Sequence, residues 1–312
     1  MLKSLGCWDA FRQACFIQSF GTCSSWGSDR VTENDFVFSA GGGGWHVDRL
    51  RFEHLLSESA CERGAEVWRG WRVTASAFSS DDVWQLTLSG PAGKREIETR
   101  FVIDATGRFA AFAVRQGAHK VANDRLVGVA GRFDCCGWAS PIDPRTLVEA
   151  EEEGWWYSAL TPDCKLVVVW MSDADLVRQA SLHTPSIWLQ RLQRSRLTGT
   201  RVGNARFEPP LLIQAAQSQV LSKMCGPSWL ATGDAATTVD PLSSQGILKA
   251  LCTGKLAAFA AFDSLIGWPA AQSRYEKLIA DDYQLCKKTK AWFYSLERRW
   301  PESPFWARRR AA

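Results

Sequence analysis

Residues 229–262 constrain the fold more than any other part of the chain. The apolar Trp229-Leu230-Ala231 has strand character, Gly233-Asp234 predicts a tight turn, and the alanine-rich residues 246–262 predict a long apolar helix. A strand, a turn and a helix N-terminus therefore meet at one point. A carboxylate there can accept hydrogen bonds from sugar hydroxyls, and the N–H groups that open a helix attract negative charge. The segment indicates a nucleotide-cofactor site.

A second candidate cofactor segment lies upstream. Residues 100–105 have the continuous apolar character of a buried parallel strand, and Thr106-Gly107-Arg108 interrupts it. The small residues at this turn allow a diphosphate or a nicotinamide phosphate to approach the backbone, where Arg108 supplies a positive charge. The alternative is an ordinary strand exit with a surface arginine.

The composition narrows the class of protein. A chain of 312 residues with 46% hydrophobic content can bury a large core, and a net charge of +4 does not suggest a nucleic-acid binder. The sequence has neither an apolar run long enough to span a bilayer nor a signal-peptide pattern, so a cytoplasmic location is expected. Ten cysteines without Cys-x-x-Cys and four histidines without ligand spacing predict no metal site.

Residues 233–247 carry a resemblance to a known superfamily. Gly233-Asp234-Ala235-Ala236, Asp240-Pro241 and Gln245-Gly246-Ile247 together resemble the second FAD fingerprint of the flavoproteins that include aromatic hydroxylases, geranylgeranyl reductases and tryptophan halogenases. The resemblance implies that Asp234 holds the FAD ribityl chain and that residues 241–247 lie beside the isoalloxazine ring. The residues alone also allow a buried turn in which Asp234 is a capping residue.

Two further stretches are similar to this superfamily. Its members carry an Asp-Ala-x-Gly-Arg stretch near the FAD, as in residues 104–108, and an arginine near the cofactor that matches Arg49. Residues 48–66 predict a helix, and an exposed i,i+4 pair of Arg49 with Glu53 is the alternative. The predicted cofactor-binding residues are Arg49, Asp104, Gly107, Arg108, Gly233, Asp234, Pro241, Gln245, Gly246 and Ile247. No catalytic residue is assigned.

A further resemblance is carried by residues 24–28, 44–49, 154–159, 173–175, 297–301 and 304–306. With these stretches the chain resembles most closely the tryptophan-halogenase-like flavoproteins that mature quinone-cofactor amine oxidases. The resemblance implies FAD, NAD(P)H as electron donor, and monooxygenation of an aromatic ring in a small molecule or a peptidyl tryptophan, which makes a partner protein a candidate substrate. The Trp-x-Trp-x-Ile-Pro motif of dedicated tryptophan halogenases is not found, so halogenation is not expected.

The expected fold is α/β. It is an FAD-binding Rossmann-like domain of the aromatic hydroxylase type, with an inserted α+β substrate domain. The Gly-x-Gly-x-x-Gly fingerprint of the superfamily is not found, so the resemblance predicts an N-terminally truncated chain that lacks the first βαβ segment. The expected parts are residues 1–122 and 219–265 for the FAD-binding domain, 123–218 for a substrate domain with a mixed sheet, and 266–312 for C-terminal helices.

Two other functions remain open at this point. A reductase of the geranylgeranyl type would transfer hydride from flavin to an apolar alkene and use no oxygen. A truncated, inactive fragment without FAD would act at most as a binding partner.

Overall fold

The computed structural model describes residues 1–36, 43–136 and 142–310. The chain divides into two compact units, each built from separate segments. The first unit contains Met1, Gly64–Asp124 and Gln217–Lys290, and the second contains Leu2–Arg63, Arg125–Ala216 and Ala291–Ala312.

The strands and helices have the following bounds. The strands are β1 (Ile17–Ser19), β2 (Gly21–Ser25), β3 (Thr32–Asp35), β4 (Gly44–His46), β5 (Arg72–Phe78), β6 (Trp84–Gly90), β7 (Gly93–Thr99), β8 (Val102–Asp104), β9 (Lys120–Ala122), β10 (Leu126–Asp134), β11 (Thr146–Glu151), β12 (Gly154–Thr161), β13 (Lys165–Asp173), β14 (Arg206–Ala215), β15 (Gln219–Leu221), β16 (Cys225–Gly226), β17 (Trp229–Ala231) and β18 (Thr237–Thr238). The helices are α1 (Trp8–Gln13), α2 (Arg49–Cys61), α3 (Ala111–Arg115), α4 (Ala174–Gln179), α5 (Pro185–Arg194), α6 (Thr198–Val202), α7 (Gly246–Leu265), α8 (Ala271–Ser295) and α9 (Pro304–Arg310).

The first unit holds the two strands predicted within residues 100–105 and 229–231, and it pairs them. β8 runs parallel to β17, with Ile103 opposite Leu230, and β16 completes this sheet on the other side of β17. The prediction that residues 100–105 form a fully buried strand is wrong for Ile103, which is 40% exposed. Side chains alternate between the two faces of a strand, and the described residues do not cover the face to which Ile103 points.

A small antiparallel meander in the first unit is formed by β5, β6 and β7 in the order of the chain. Its first strand begins at Arg72, two residues after Gly70, which has φ +78°, a left-handed conformation that a strand does not adopt. Trp84 of β6 packs edge-on against Phe112, which in turn packs against Trp229 of β17, with ring centroids 5.0 and 5.9 Å apart. These aromatic contacts form the core of the unit.

The second unit is built on a mixed sheet with the strand order β14-β10-β13-β12-β11-β2-β3. β2 pairs with β11 in parallel, and the other pairs in this sheet are antiparallel. Helix α5 packs Trp188 onto the sheet, where its indole N–H donates to the Val129 carbonyl at 3.2 Å. Trp156 and Trp170 belong to the same core, so packing accounts for three of the sixteen tryptophans of the chain.

The packing of Trp188 explains a glycine in β10 and generates a stability prediction. A Cβ added to Gly131 would lie 2.8 Å from Cη2 of Trp188, at a register shift between β10 and β14. We expect Gly131→Ala to lower the free energy of unfolding by about 1–3 kcal/mol, because the fully buried indole must move. Urea denaturation measures the change.

A glycine in an open position provides the control. Gly254 lies inside α7, and an added Cβ would meet no atom within 4 Å. We expect Gly254→Ala to raise the free energy of unfolding by about 0.5–1 kcal/mol, since alanine favours the helix. A Gly131→Ala protein as stable as the parent would show that Trp188 does not hold a fixed position.

Candidate functional site

The Gly-Asp turn follows β17 directly, as predicted. Residues Gly233–Ala235 form a 3-10 turn, and Gly233 has φ +58°, a left-handed conformation that favours glycine. The N–H of Gly233 donates to Oγ1 of Thr253 at 3.1 Å, so the second turn of α7 anchors the backbone here. An added Cβ would lie 3.6 Å from Cβ of Ala250, an ordinary contact. Backbone conformation, not crowding, therefore explains this glycine.

The Asp234 carboxylate is accessible and lies among cations. Its side chain is 43% exposed, and Oδ1 lies 3.4 Å from Nζ of Lys249. Burial lowers the pKa of Arg108, and the negative charge of Asp234 partly offsets this effect. The turn therefore presents an anionic acceptor group to solvent, with positive charge beside it.

Residues 104–108 lie next to this turn, and groups of the chain itself bind the Asp104 carboxylate. Asp104 is buried, and its Oδ1 accepts from the N–H and the hydroxyl of Thr106 at 2.9 and 2.6 Å. Oδ2 accepts from the N–H groups of Phe112 and Ala113 at 3.0 and 2.8 Å. Four donors within the chain occupy the carboxylate, so Asp104 shapes the turn and the start of α3.

Gly107 and Arg108 lie at the surface of the same turn. Gly107 has φ +66°, and no atom lies within 4 Å of an added Cβ, so a ligand can approach its backbone. The Arg108 guanidinium is half-buried and donates from Nη2 to the Gln217 carbonyl at 2.6 Å. This bond fixes the direction of the arginine without neutralising its charge.

The segment before α7 forms an open loop at the helix N-terminus. Asp240 is buried and its Oδ1 accepts from the N–H of Leu242 at 3.0 Å, which starts the 3-10 turn Pro241–Ser243. Gln245 occupies the N-cap position of α7 and makes no side-chain capping bond. Gly246 is exposed, with no atom within 4 Å of an added Cβ. The first N–H groups of a 20-residue helix therefore lie beside open space.

Two lysines of the site were missed by the sequence reasoning. Lys249 pairs with Asp234, as given above, and Lys290 of α8 lies 2.5 Å from Oδ2 of Asp124 and 3.3 Å from Oδ2 of Asp240. The signal for Lys249 was present, because it is a charged residue in the first turn of a mainly apolar helix. Lys290 lies in a polar helix and gave no such signal.

Arg49 belongs to the second unit, where only its local contacts are described. It opens α2, which Asp48 caps by accepting from the N–H of Arg51 at 2.9 Å. Nη2 of Arg49 lies 2.6 Å from Oε1 of Glu53, and both side chains are more than half exposed. The i,i+4 pair is therefore formed, and a role of Arg49 at the cofactor stays a prediction.

Two other kinds of site are absent from the part of the chain that the structure describes. In residues 1–36, 43–136 and 142–310, no cluster of three or more histidine, cysteine or acidic side chains is arranged to hold a metal ion. Within the same described part of the chain, no helix has the length and apolar character needed to cross a lipid bilayer.

The chain matches a known protein family over most of its length. The model of the tryptophan halogenase family matches residues 24–312. The chain belongs to the tryptophan halogenase family. The predicted flavoprotein superfamily and the enzyme class, an oxidoreductase, are thereby confirmed. The expectation against halogenation rested on one absent motif, and that absence does not separate the chain from a family whose model covers residues 24–312.

A curated relative supports the family assignment. LodB of Marinomonas mediterranea, named as an FAD-dependent oxidoreductase, is 30% identical over 303 residues, which cover 96% of this chain and 80% of LodB.

Solved structures confirm the α/β fold. The flavin-dependent halogenase CmlS matches with a TM-score of 0.87 and 23% identity, over 99% of this chain and 58% of CmlS. The peptidyl tryptophan dihydroxylase QhpG matches with a TM-score of 0.70 and 21% identity, over 99% of this chain and 67% of QhpG. The chain thus spans less than two thirds of the length of CmlS.

The four hydrogen bonds of Asp104 generate a prediction about the turn. In Asp104→Asn, an amide nitrogen replaces one acceptor and faces backbone N–H donors, so we expect the free energy of unfolding to fall by about 1–3 kcal/mol. Asp81→Asn, an exposed position in the first unit, is the matched control and should change little. Equal urea midpoints for all three proteins would contradict the assignment of Asp104 to the turn.

Proposed function

We propose that the first unit binds FAD at the surface formed by Gly107, Arg108, Asp234 and the start of α7. The observation that carries the proposal is the half-exposed Asp234 carboxylate. It follows the parallel strand β17 and pairs with Lys249 of α7, the helix that begins nearby. Open space at Gly107 and Gly246 lets a ligand approach the backbone closely. Membership of a flavin-dependent enzyme family supports the choice of FAD among nucleotide cofactors.

The residues of the unit suit the chemical groups of FAD. Asp234 would accept hydrogen bonds from ribityl hydroxyls, and Arg108 would attract a phosphate. The N–H groups of Gly246 and Ile247 would face the pyrimidine edge of the ring, where the helix N-terminus favours negative charge. When bound, FAD supplies the redox chemistry, and the chain supplies binding, orientation and this electrostatic field.

The reaction that we propose is hydroxylation of an aromatic ring. One atom of O2 enters the substrate and the other leaves as water, with NAD(P)H as the source of two electrons. A shared fold with a peptidyl tryptophan dihydroxylase supports a tryptophan side chain as the ring. Similarity over 96% of the chain to LodB, named as an FAD-dependent oxidoreductase, supports the flavin chemistry. A partner protein that carries the tryptophan would then be the substrate.

Halogenation of an aromatic ring is the second candidate, and the family assignment favours it. The matching family is that of tryptophan halogenases, and the halogenase CmlS shares the fold. The two candidate reactions need the same FAD site. They differ in whether a hydroxyl group or a halogen atom replaces a hydrogen on the ring.

FAD binding tests the proposed site. We expect Asp234→Asn to raise the Kd for FAD about tenfold or more in an absorbance titration of the purified chain, because a charge-assisted hydrogen bond is lost. Asp281→Asn, whose carboxylate forms an exposed pair with Lys277 in α8, is the control and should bind like the parent. A parent chain that leaves FAD unbound would contradict the proposed function.

The product separates the two candidate reactions. The protein is supplied with FAD, NADPH, isotopically labelled O2 and a tryptophan peptide, with and without bromide. Hydroxylation predicts labelled oxygen in the peptide by mass spectrometry, with no dependence on bromide. A brominated peptide would support the halogenase instead, and oxidation of NADPH without a change in the peptide would contradict both.

A further inference from the structure

A buried lysine lies under the Gly-Asp turn. Lys249 is only 9% exposed, and it stands near the start of the apolar helix α7. Its ammonium group donates to the Thr237 carbonyl, lies 3.3 Å from the Thr237 hydroxyl and 3.4 Å from Oδ1 of Asp234. These three acceptors match the three N–H bonds of an ammonium group.

Stability alone does not explain a lysine in this position. Burial lowers its pKa, because the charged form loses hydration, and the charge of Asp234 offsets this only in part. A buried ion pair is often replaced by an apolar residue of similar size without loss of stability. An unbranched apolar side chain such as methionine would suit the helix at this position equally well.

The contacts of α7 fix both parts of the turn on which the candidate site depends. Thr253, one helical turn after Lys249, accepts from the N–H of Gly233 and so holds the backbone. Lys249 holds the Asp234 carboxylate and ties it to Thr237, which begins β18. Residues i and i+4 lie on one face of a helix, so a single face of α7 sets the turn.

We propose that Lys249 is a positioning residue that orients the Asp234 carboxylate for a ligand hydroxyl. This inference rests on the proposed FAD site. The ammonium group lies 3.4 Å from Oδ1, so Oδ2 of this exposed carboxylate would accept from the ligand hydroxyl, and the ion pair would restrict the carboxylate before the ligand arrives. Pre-organisation of this kind lowers the entropic cost of binding.

The test compares Lys249→Met with the parent and with Lys255→Met. Lys255 lies six residues later in α7, where Nζ stands 5.8 Å from the Phe259 ring, away from Asp234. We expect Lys249→Met to raise the Kd for FAD about tenfold. The FAD-free variant should unfold at the parent's urea midpoint or above it, and Lys255→Met should bind FAD like the parent.

A double variant shows whether Lys249 acts through Asp234. Asp234→Asn combined with Lys249→Met should bind FAD no more weakly than Asp234→Asn alone, because the lysine then has no carboxylate to orient. Losses that simply multiply in the double variant would overturn the proposal. So would a parental Kd in Lys249→Met.

A second substitution covers the case in which Lys249→Met does not fold. Lys249→Gln keeps a donor for the Thr237 carbonyl and removes the charge facing Asp234, and we expect the same loss of FAD affinity in a folded protein. If both variants unfold at much lower urea concentration, Lys249 is a structural residue and the proposal is overturned. A parent chain that leaves FAD unbound instead overturns the proposed function itself, a result that the parent titration identifies on its own.

Discussion

The parallel pairing of β8 with β17 is the constraint on which the candidate site depends. The carboxyl ends of parallel strands lie at the same edge of a sheet, so the turns that follow them become neighbours. Beyond the strands, the N–H of Thr232 donates to the Asp104 carbonyl at 2.9 Å, which continues the pairing to the start of both turns. Segments more than a hundred residues apart in sequence therefore present Gly107 and Gly233 side by side.

Buried charges hold the loops that leave this sheet. Asp240 caps the turn before α7 and also faces Lys290 of α8, while Asp124 pairs with the same lysine. Burial of such groups costs free energy of hydration. They restrict the loop geometry, because an ion pair with hydrogen bonds allows fewer arrangements than an apolar contact. The loop geometry is thus set by α7 and α8, from beneath the exposed surface.

The sequence predicted the elements of the site better than their contacts. The helix at Gly246 and the strand at Trp229 follow from local apolar patterns, which a single chain displays. The hydrogen bonds of Asp104 to Phe112 and Ala113 depend on the left-handed backbone of Ala110, with φ 47°. No local sequence pattern predicts that conformation. The sequence did not predict these hydrogen bonds within the chain, and a contact of Asp104 with the cofactor stays a prediction.

The hydrogen bond between Tyr275 and the end of β17 is insensitive to pH over a wide range. Its buried hydroxyl donates to the Ala231 carbonyl at 2.9 Å, and burial raises its pKa from 10.0 to about 12. Because the folded state favours the protonated phenol, this contribution to stability is complete below pH 10.0 and is lost as the pH rises through about 12. The Tyr275 hydroxyl therefore holds the strand that precedes the Gly-Asp turn and stays protonated at physiological pH.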